Sequence, residues 1–172
     1  LSNQALDPEE FKNYELGLKW DVLPDLNVTA AIYQLDRSNV VVPDPANPTL
    51  SILVDGQRTK GLELSASGNI TEKWSVIASY AYQDGEILKA QSATVKAGNK
   101  LANLPEHSFA LWNRYDVTDA FGLGLGVIHQ TKRYASSDNL VAMPSFTRVD
   151  GAVFYDINEQ FTAQLNVENI LD

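Results

Sequence analysis

The sequence predicts an all-β fold of antiparallel, up-and-down strands, about eight of them, crossing a membrane as the wall of a β-barrel. Three observations predict it. Apolar and polar residues alternate with period two in segment after segment, which places successive side chains on opposite faces of a strand. The connections between these segments are alternately short and long. No stretch approaches the ~18–20 uninterrupted apolar residues that a membrane helix needs, because Asp, Asn, Gln, Lys or Thr breaks every apolar run.

Residues 13–22 carry Tyr14, Leu16, Leu18, Trp20 and Val22 on one face, with Glu15, Gly17, Lys19 and Asp21 on the other. Leu23-Pro24-Asp25 then reads as a tight turn, because proline fixes φ and donates nothing to a ladder. Alternation resumes through Leu26, Val28, Ala30 and Ile32. A second pair sets Leu62, Leu64 and Ala66 against Glu63, Ser65 and Ser67, turns at Thr71-Glu72-Lys73, and returns with Trp74, Val76, Ala78, Tyr80 and Tyr82. The third runs through Phe109, Leu111 and Tyr115, then Phe121, Leu123, Leu125 and Val127, joined by residues 116–120. The fourth has Val149, Val153 and Tyr155, a connection at 156–160, and Phe161, Ala163, Leu165 and Val167 opposite Thr162, Gln164, Asn166 and Glu168.

Between these hairpins lie long polar stretches at about 38–55, 85–103 and 135–144. Short turns at one rim and long loops at the other, joined by strands of about ten residues, are the layout of outer-membrane barrels. The long loops mark the cell exterior, so the first strand descends toward the periplasm. Trp20 and Trp74 near short turns, with Tyr115 and Phe121 flanking another, suit the membrane interface, where an amphipathic ring meets both solvents. A soluble β-sandwich with core aromatics is the competing reading. Lipid demands that every strand edge be paired, so the strands either close on themselves as a small barrel or form one arc of a larger one. Periodicity leaves that choice open.

The composition excludes several functions. The net charge is −9 over 172 residues, and no basic stripe offers phosphates a surface, so no nucleic-acid partner is expected. Cysteine is absent, which removes thiolate metal sites and disulfides. The two histidines, His107 and His129, sit on different strands near predicted ends and suit solvated rim positions better than metal ligation. Catalysis needs converging acid, base or nucleophile; none is found, so no enzyme and no covalently bound cofactor are expected. Gly122, Gly124 and Gly126 share one face but lack the strand-to-helix context of a phosphate loop. The chain begins at Leu1 with no basic n-region or apolar h-region, and the expectation is that processing or truncation removed the start.

Several phrases carry a resemblance. Leu6-Asp7-Pro8-Glu9 with Asn13-Tyr14-Glu15-Leu16-Gly17-Leu18-Lys19-Trp20, and Gly56 through Leu64, resemble two segments of the TonB-dependent receptor barrel. Leu104-Pro105-Glu106-His107-Ser108, Arg133-Tyr134-Ala135, Phe146-Thr147-Arg148-Val149-Asp150 and Leu165 through Asp172 resemble later ones, in family order. The wording is closest to receptors for ferric siderophores, in the catecholate branch. The resemblance implies an arc of a twenty-two-stranded barrel in a Gram-negative outer membrane. It also implies an N-terminal plug domain, a TonB-contacting box and a final strand, all outside residues 1–172, and partners that include membrane lipid, a ferric siderophore and the TonB complex.

Ferric siderophores are often anionic and aromatic, so cations and aromatics at the outer mouth would suit them. Within residues 85–104 the charges are Glu86 against Lys89, Lys96 and Lys100. Lys132, Arg133 and Tyr134 make a second such cluster. These six are the candidate ligand contacts; lysines that are simply solvated, or paired with lipopolysaccharide phosphates, are the alternative. Arg148 and Asp150, two apart and predicted to face the lumen, are expected to form a network on the wall.

Overall fold

The computed structural model describes residues 6–43 and 49–171. Eight long strands form one antiparallel sheet: β1 (Glu10–Leu23), β2 (Leu26–Ser38), β5 (Gln57–Thr71), β6 (Trp74–Ile87), β7 (His107–Asp116), β8 (Phe121–Gln130), β11 (Phe146–Asn158) and β12 (Phe161–Val167). Two small hairpins stand apart from it, β3 (Val40–Pro43) with β4 (Ser51–Val54), and β9 (Arg133–Tyr134) with β10 (Ala142–Met143). Each long strand pairs with its neighbours in chain order, so every connection is a hairpin. No helix of the described residues is long and apolar enough to cross a membrane.

The register aligns the alternation across the sheet. Leu16 pairs with Ile32, Ile32 with Leu62, and Leu62 with Tyr82. Leu111 pairs with Val127, and Val127 with Val149. One face is therefore apolar from β1 to β12, and a one-residue slip at any pair would turn a strand's apolar set to the wrong side. The opposite face is a polar wall, with Thr29 and Ser65 joined through their hydroxyls at 2.6 Å, Gln83 donating to Tyr33 at 2.8 Å, and Gln164 donating to Asn166 at 2.8 Å.

Among the described residues no second layer packs on the apolar face. Leu16 is 72% exposed and Leu165 64%, values that a soluble sandwich core would not permit. The exposed apolar band belongs in hydrocarbon, with the polar wall toward the lumen. At the short-turn end this band carries Trp20, Trp74, Tyr115, Phe121, Tyr155 and Phe161, a ring of aromatics at the interface. Near that end Asn113 is a polar residue on this face, and the Trp74 indole N–H donates to its side-chain oxygen at 3.2 Å. Among the described residues β1 pairs only with β2, and β12 only with β11. The eight strands are thus an arc with two open edges, neither a closed small barrel nor a two-layer sandwich.

Three turns are tight and irregular, with register shifts between Asp21 and Leu23, Asn69 and Thr71, and Asp156 and Asn158. The bulges end the pairing at the periplasmic rim and sharpen the local twist. At the other rim the structure departs from the sequence-based reading. The stretch at 38–55, read as polar loop, holds the β3–β4 hairpin, because Val40, Val41 and Val42 face Val54, Leu53 and Ile52 and β-branched side chains favour the pleat. Two of that stretch's three prolines, Pro45 and Pro48, lie outside the described residues, as does Asp172 at the end of the last phrase.

The glycines of β8 have a packing reason. Gly124 and Gly126 face the lumen beneath the Trp112 indole of β7, and a Cβ on either would lie 2.7 Å from that ring. Trp112 thus lies flat along the lumen wall. We expect Gly124→Val to destabilise the full-length protein by about 1–3 kcal/mol through overpacking, with Trp112→Ala in the same chain recovering much of it. Chemical unfolding of the single and double variants checks this, and strictly additive losses would remove the ring as the cause.

Candidate functional site

The structure gathers the outer-rim candidates unevenly. A cleft of about 600 Å³ opens at the ends of β6 and β8, lined by Gln83, Lys100, Glu106, Lys132, Arg133 and Tyr134 among others. Four of the six candidate contacts therefore share one cavity. Lys89 lies elsewhere, paired with Asp55 at 3.3 Å. Lys96 is exposed near the tip of the 88–106 loop, with no ion pair found for it among the described residues.

Two loops build the cleft. Arg133 and Tyr134 do not extend β8; the strand breaks at Thr131 and Lys132, and the pair forms β9 against β10. Thr131 closes the gap, its backbone N–H donating to the His107 carbonyl at 3.0 Å and its hydroxyl oxygen accepting from the His107 N–H at 3.0 Å. Arg133 donates to Gln130 at 3.1 Å, which steadies its guanidinium beside the strand end. Across the cleft, residues 99–103 run against both β6 and the 131–145 loop. Leu101 N–H donates to the Gly85 carbonyl at 3.1 Å, and Asn103 N–H to the Tyr134 carbonyl at 2.8 Å.

Electrostatics temper the cationic reading. The Lys100 ammonium donates to the Asp84 carboxylate, and that hydrogen bond raises its pKa above the ordinary lysine value, so Lys100 stays charged but already has a partner. Glu106 places an acid at the lining itself. Of the cleft's own cations, Lys132 and Arg133 have no acidic partner among the described residues. Asp84 and Glu106 carried no signal in the sequence, since only the pairing of β6 and the folding back of the loop bring them to Lys100.

Both histidines lie near this rim and bond to hydroxyls. His107 Nδ1 lies 2.9 Å from the Tyr80 hydroxyl, and His129 Nδ1 lies 2.8 Å from that of Thr147. Among the described residues no group of His, Asp and Glu is arranged to hold a metal ion.

On the wall, Arg148 donates to Asp150 at 2.8 and 3.1 Å. Asp150 also accepts from the Asn169 backbone N–H at 2.9 Å, which pins the segment after β12 back onto β11, with Ile170 N–H donating to the Val149 carbonyl at 2.8 Å. Lower on the same wall, Arg114 reaches Asp116 at 3.0 Å and lies 4.4 Å from the centre of the Phe154 ring, a pairing the sequence analysis did not foresee.

Comparison with known proteins places this architecture. Residues 1–170 match the family described as TonB dependent receptor-like, beta-barrel. The probable TonB-dependent siderophore receptor PiuA of Acinetobacter baumannii is 34% identical over 99% of this chain and 24% of its own length. The metal-pseudopaline receptor CntO of Pseudomonas aeruginosa is 33% identical over 100% of this chain and 25% of its own, and the catecholate siderophore receptor Fiu of Escherichia coli 34% over 96% and 22%. The solved structure of PiuA superposes with a TM-score of 0.89 at 34% identity, covering 98% of this chain and 25% of that one. The closed form of Fiu gives 0.87 at 31%, covering 97% and 24%. The chain spans about a quarter of the length of these relatives. Residues 1–170, whose described part is an open arc of lipid-facing strands with long loops at one rim, belong to the outer-membrane β-barrel of the TonB-dependent receptors.

Proposed function

We propose that this chain is wall and outer rim of a receptor that imports a ferric siderophore, with a catecholate or similarly anionic, aromatic chelate as the substrate class. The observation that carries the proposal is the cleft at the outer rim, where Lys132, Arg133, Tyr134 and Lys100 meet. Cations there attract an anionic complex, and the phenol ring gives its aromatic groups a face. The relatives' names point the same way, to siderophores and to a metal-pseudopaline complex. The chain acts by binding rather than by catalysis.

In this reading the open edges of β1 and β12 pair with further strands of a twenty-two-stranded barrel. A plug domain fills the lumen and meets the Arg148–Asp150 and Arg114–Asp116 wall, and the TonB complex drives release through the plug. The apolar band contacts membrane lipid throughout.

The test uses the full-length receptor in cells that make no siderophore, supplied with radioactive iron as the ferric complex of 2,3-dihydroxybenzoate. Arg133→Glu is expected to raise the half-saturating concentration about tenfold or more, the size of one lost charged contact. Lys73→Glu, at a periplasmic turn, should leave it unchanged. Equal curves for Arg133→Glu and the parent would end the case for the cleft.

A further inference from the structure

We propose that Asn139 is a positioning residue of this cleft: its side-chain amide clasps the Lys100 peptide and holds the 88–106 and 131–145 loops together as one unit. The inference rests on the cleft reading above and adds to it the element that sets the spacing of its walls.

The geometry is reciprocal. Asn139 Oδ1 accepts from the Lys100 backbone N–H at 2.7 Å, while its Nδ2 donates to the Lys100 carbonyl at 2.9 Å. One primary amide thereby satisfies both polar groups of one residue 39 positions away, as a neighbouring strand would. The same Lys100 forms a bridge with Glu86 at the top of β6, and its ammonium reaches Asp84. Lys100 is thus held at its backbone from one side by Asn139, while from the other side β6 holds its ammonium through Asp84 and its two chain neighbours through the Leu101 N–H to the Gly85 carbonyl and the Ile87 N–H to the Asn99 carbonyl.

Three further contacts run beside the clasp. Asn99 donates to the Ser137 carbonyl at 2.8 Å, Ala102 N–H to the Ser137 hydroxyl at 3.3 Å, and Asn103 N–H to the Tyr134 carbonyl at 2.8 Å. The last fixes the residue that lines the cleft opposite Lys100.

Asn139 is built for this place. Its φ of 60° lies in the left-handed region, which asparagine tolerates far better than most side chains. Asp138 just before it receives the Ser136 hydroxyl at 2.5 Å and the Leu140 N–H at 3.0 Å. These bonds hold its carboxyl below the usual carboxylate range and tighten the turn that presents Asn139. Glutamine would be one methylene too long, and aspartate would set a carboxylate against the Lys100 carbonyl. Glycine keeps the backbone and removes the clasp together with the longer Nδ2 bond to the Ser136 carbonyl at 3.4 Å, which makes Asn139→Gly the informative change.

The experiment pairs hydrogen exchange on the ligand-free, full-length receptor with uptake of ferric 2,3-dihydroxybenzoate. Asn139→Gly should speed exchange at the Lys100, Ala102 and Asn103 amides by about tenfold or more, with amides of β5 as unchanged internal controls. It should raise half-saturation about tenfold and keep the maximal uptake rate, a split that a mere loss of folded receptor would not produce. Unchanged exchange at those amides overturns the clasp, and faster exchange with unchanged half-saturation overturns the positioning role. Failure of the cleft reading itself appears separately, as an unaffected Arg133→Glu receptor.

Discussion

Leu64→Arg lowers the unfolding free energy of the full-length receptor by about 2–4 kcal/mol, the range for a cation at the bilayer midplane on the lipid face of a barrel. Leu64 sits in the middle of β5, paired with Ala30 on β2 and Tyr80 on β6, and is 41% exposed with no protein over it. An arginine there has neither water nor an acid within its own row, and the long side chain must reach toward the interface to keep its charge hydrated. Glu63→Arg, one residue along and on the lumen face, should cost under about 1 kcal/mol, because that face is polar. Denaturant titration in lipid vesicles measures both. Similar losses for the two variants would refute the face assignment for β5, and with it the register of the whole arc.

Gly68→Ala carries the second large effect, about 2–4 kcal/mol. Gly68 pairs with both Leu26 and Val76 at φ 137°, a conformation that costs a side chain about 1–3 kcal/mol. A Cβ would also land on the Asp25 carbonyl oxygen, the group that accepts the Asn69 N–H at 2.7 Å, so β5 would have to leave β2 at the periplasmic rim and lose that bond. Gly98→Ala separates the two causes. Gly98 also has positive φ, 86°, but nothing lies within 4 Å of its added Cβ, so only the backbone term applies and a loss of about 1 kcal/mol is expected. Equal losses at the two glycines, read by the same titration, would discard the turn carbonyl as the source.

Much of the arc was legible because the membrane imposes one rule on every strand. Tyr14, Leu16, Leu18 and Trp20 announce a lipid face by alternation alone, and the same parity recurs in β5, β6, β8 and β12. Pro24-Asp25 announces a turn because proline cannot remain in the ladder. The glycines at 122, 124 and 126 were visible as a stripe, yet their reason was not, since it depends on which residue of β7 lies across from them. Trp112 and Phe154, large side chains on the lumen wall, were hidden for the same cause.

The candidate site was legible only in part. Local charge in the 85–104 and 132–134 stretches pointed to two loops that the structure brings together, and four of the six residues meet in one cleft. Lys89 and Lys96 do not, because loop sequence carries no rule for where a side chain ends up once the loop folds back. By itself the sequence determined the fold class, the face of each strand, the turn rim and the family, since period-two burial and local turn chemistry are short-range properties. Only the tertiary structure decided that Asp84 pairs with Lys100, that Glu106 lines the cleft, and that Asn139 meets Lys100. Each of those depends on contacts between residues far apart in the chain, which no local pattern encodes.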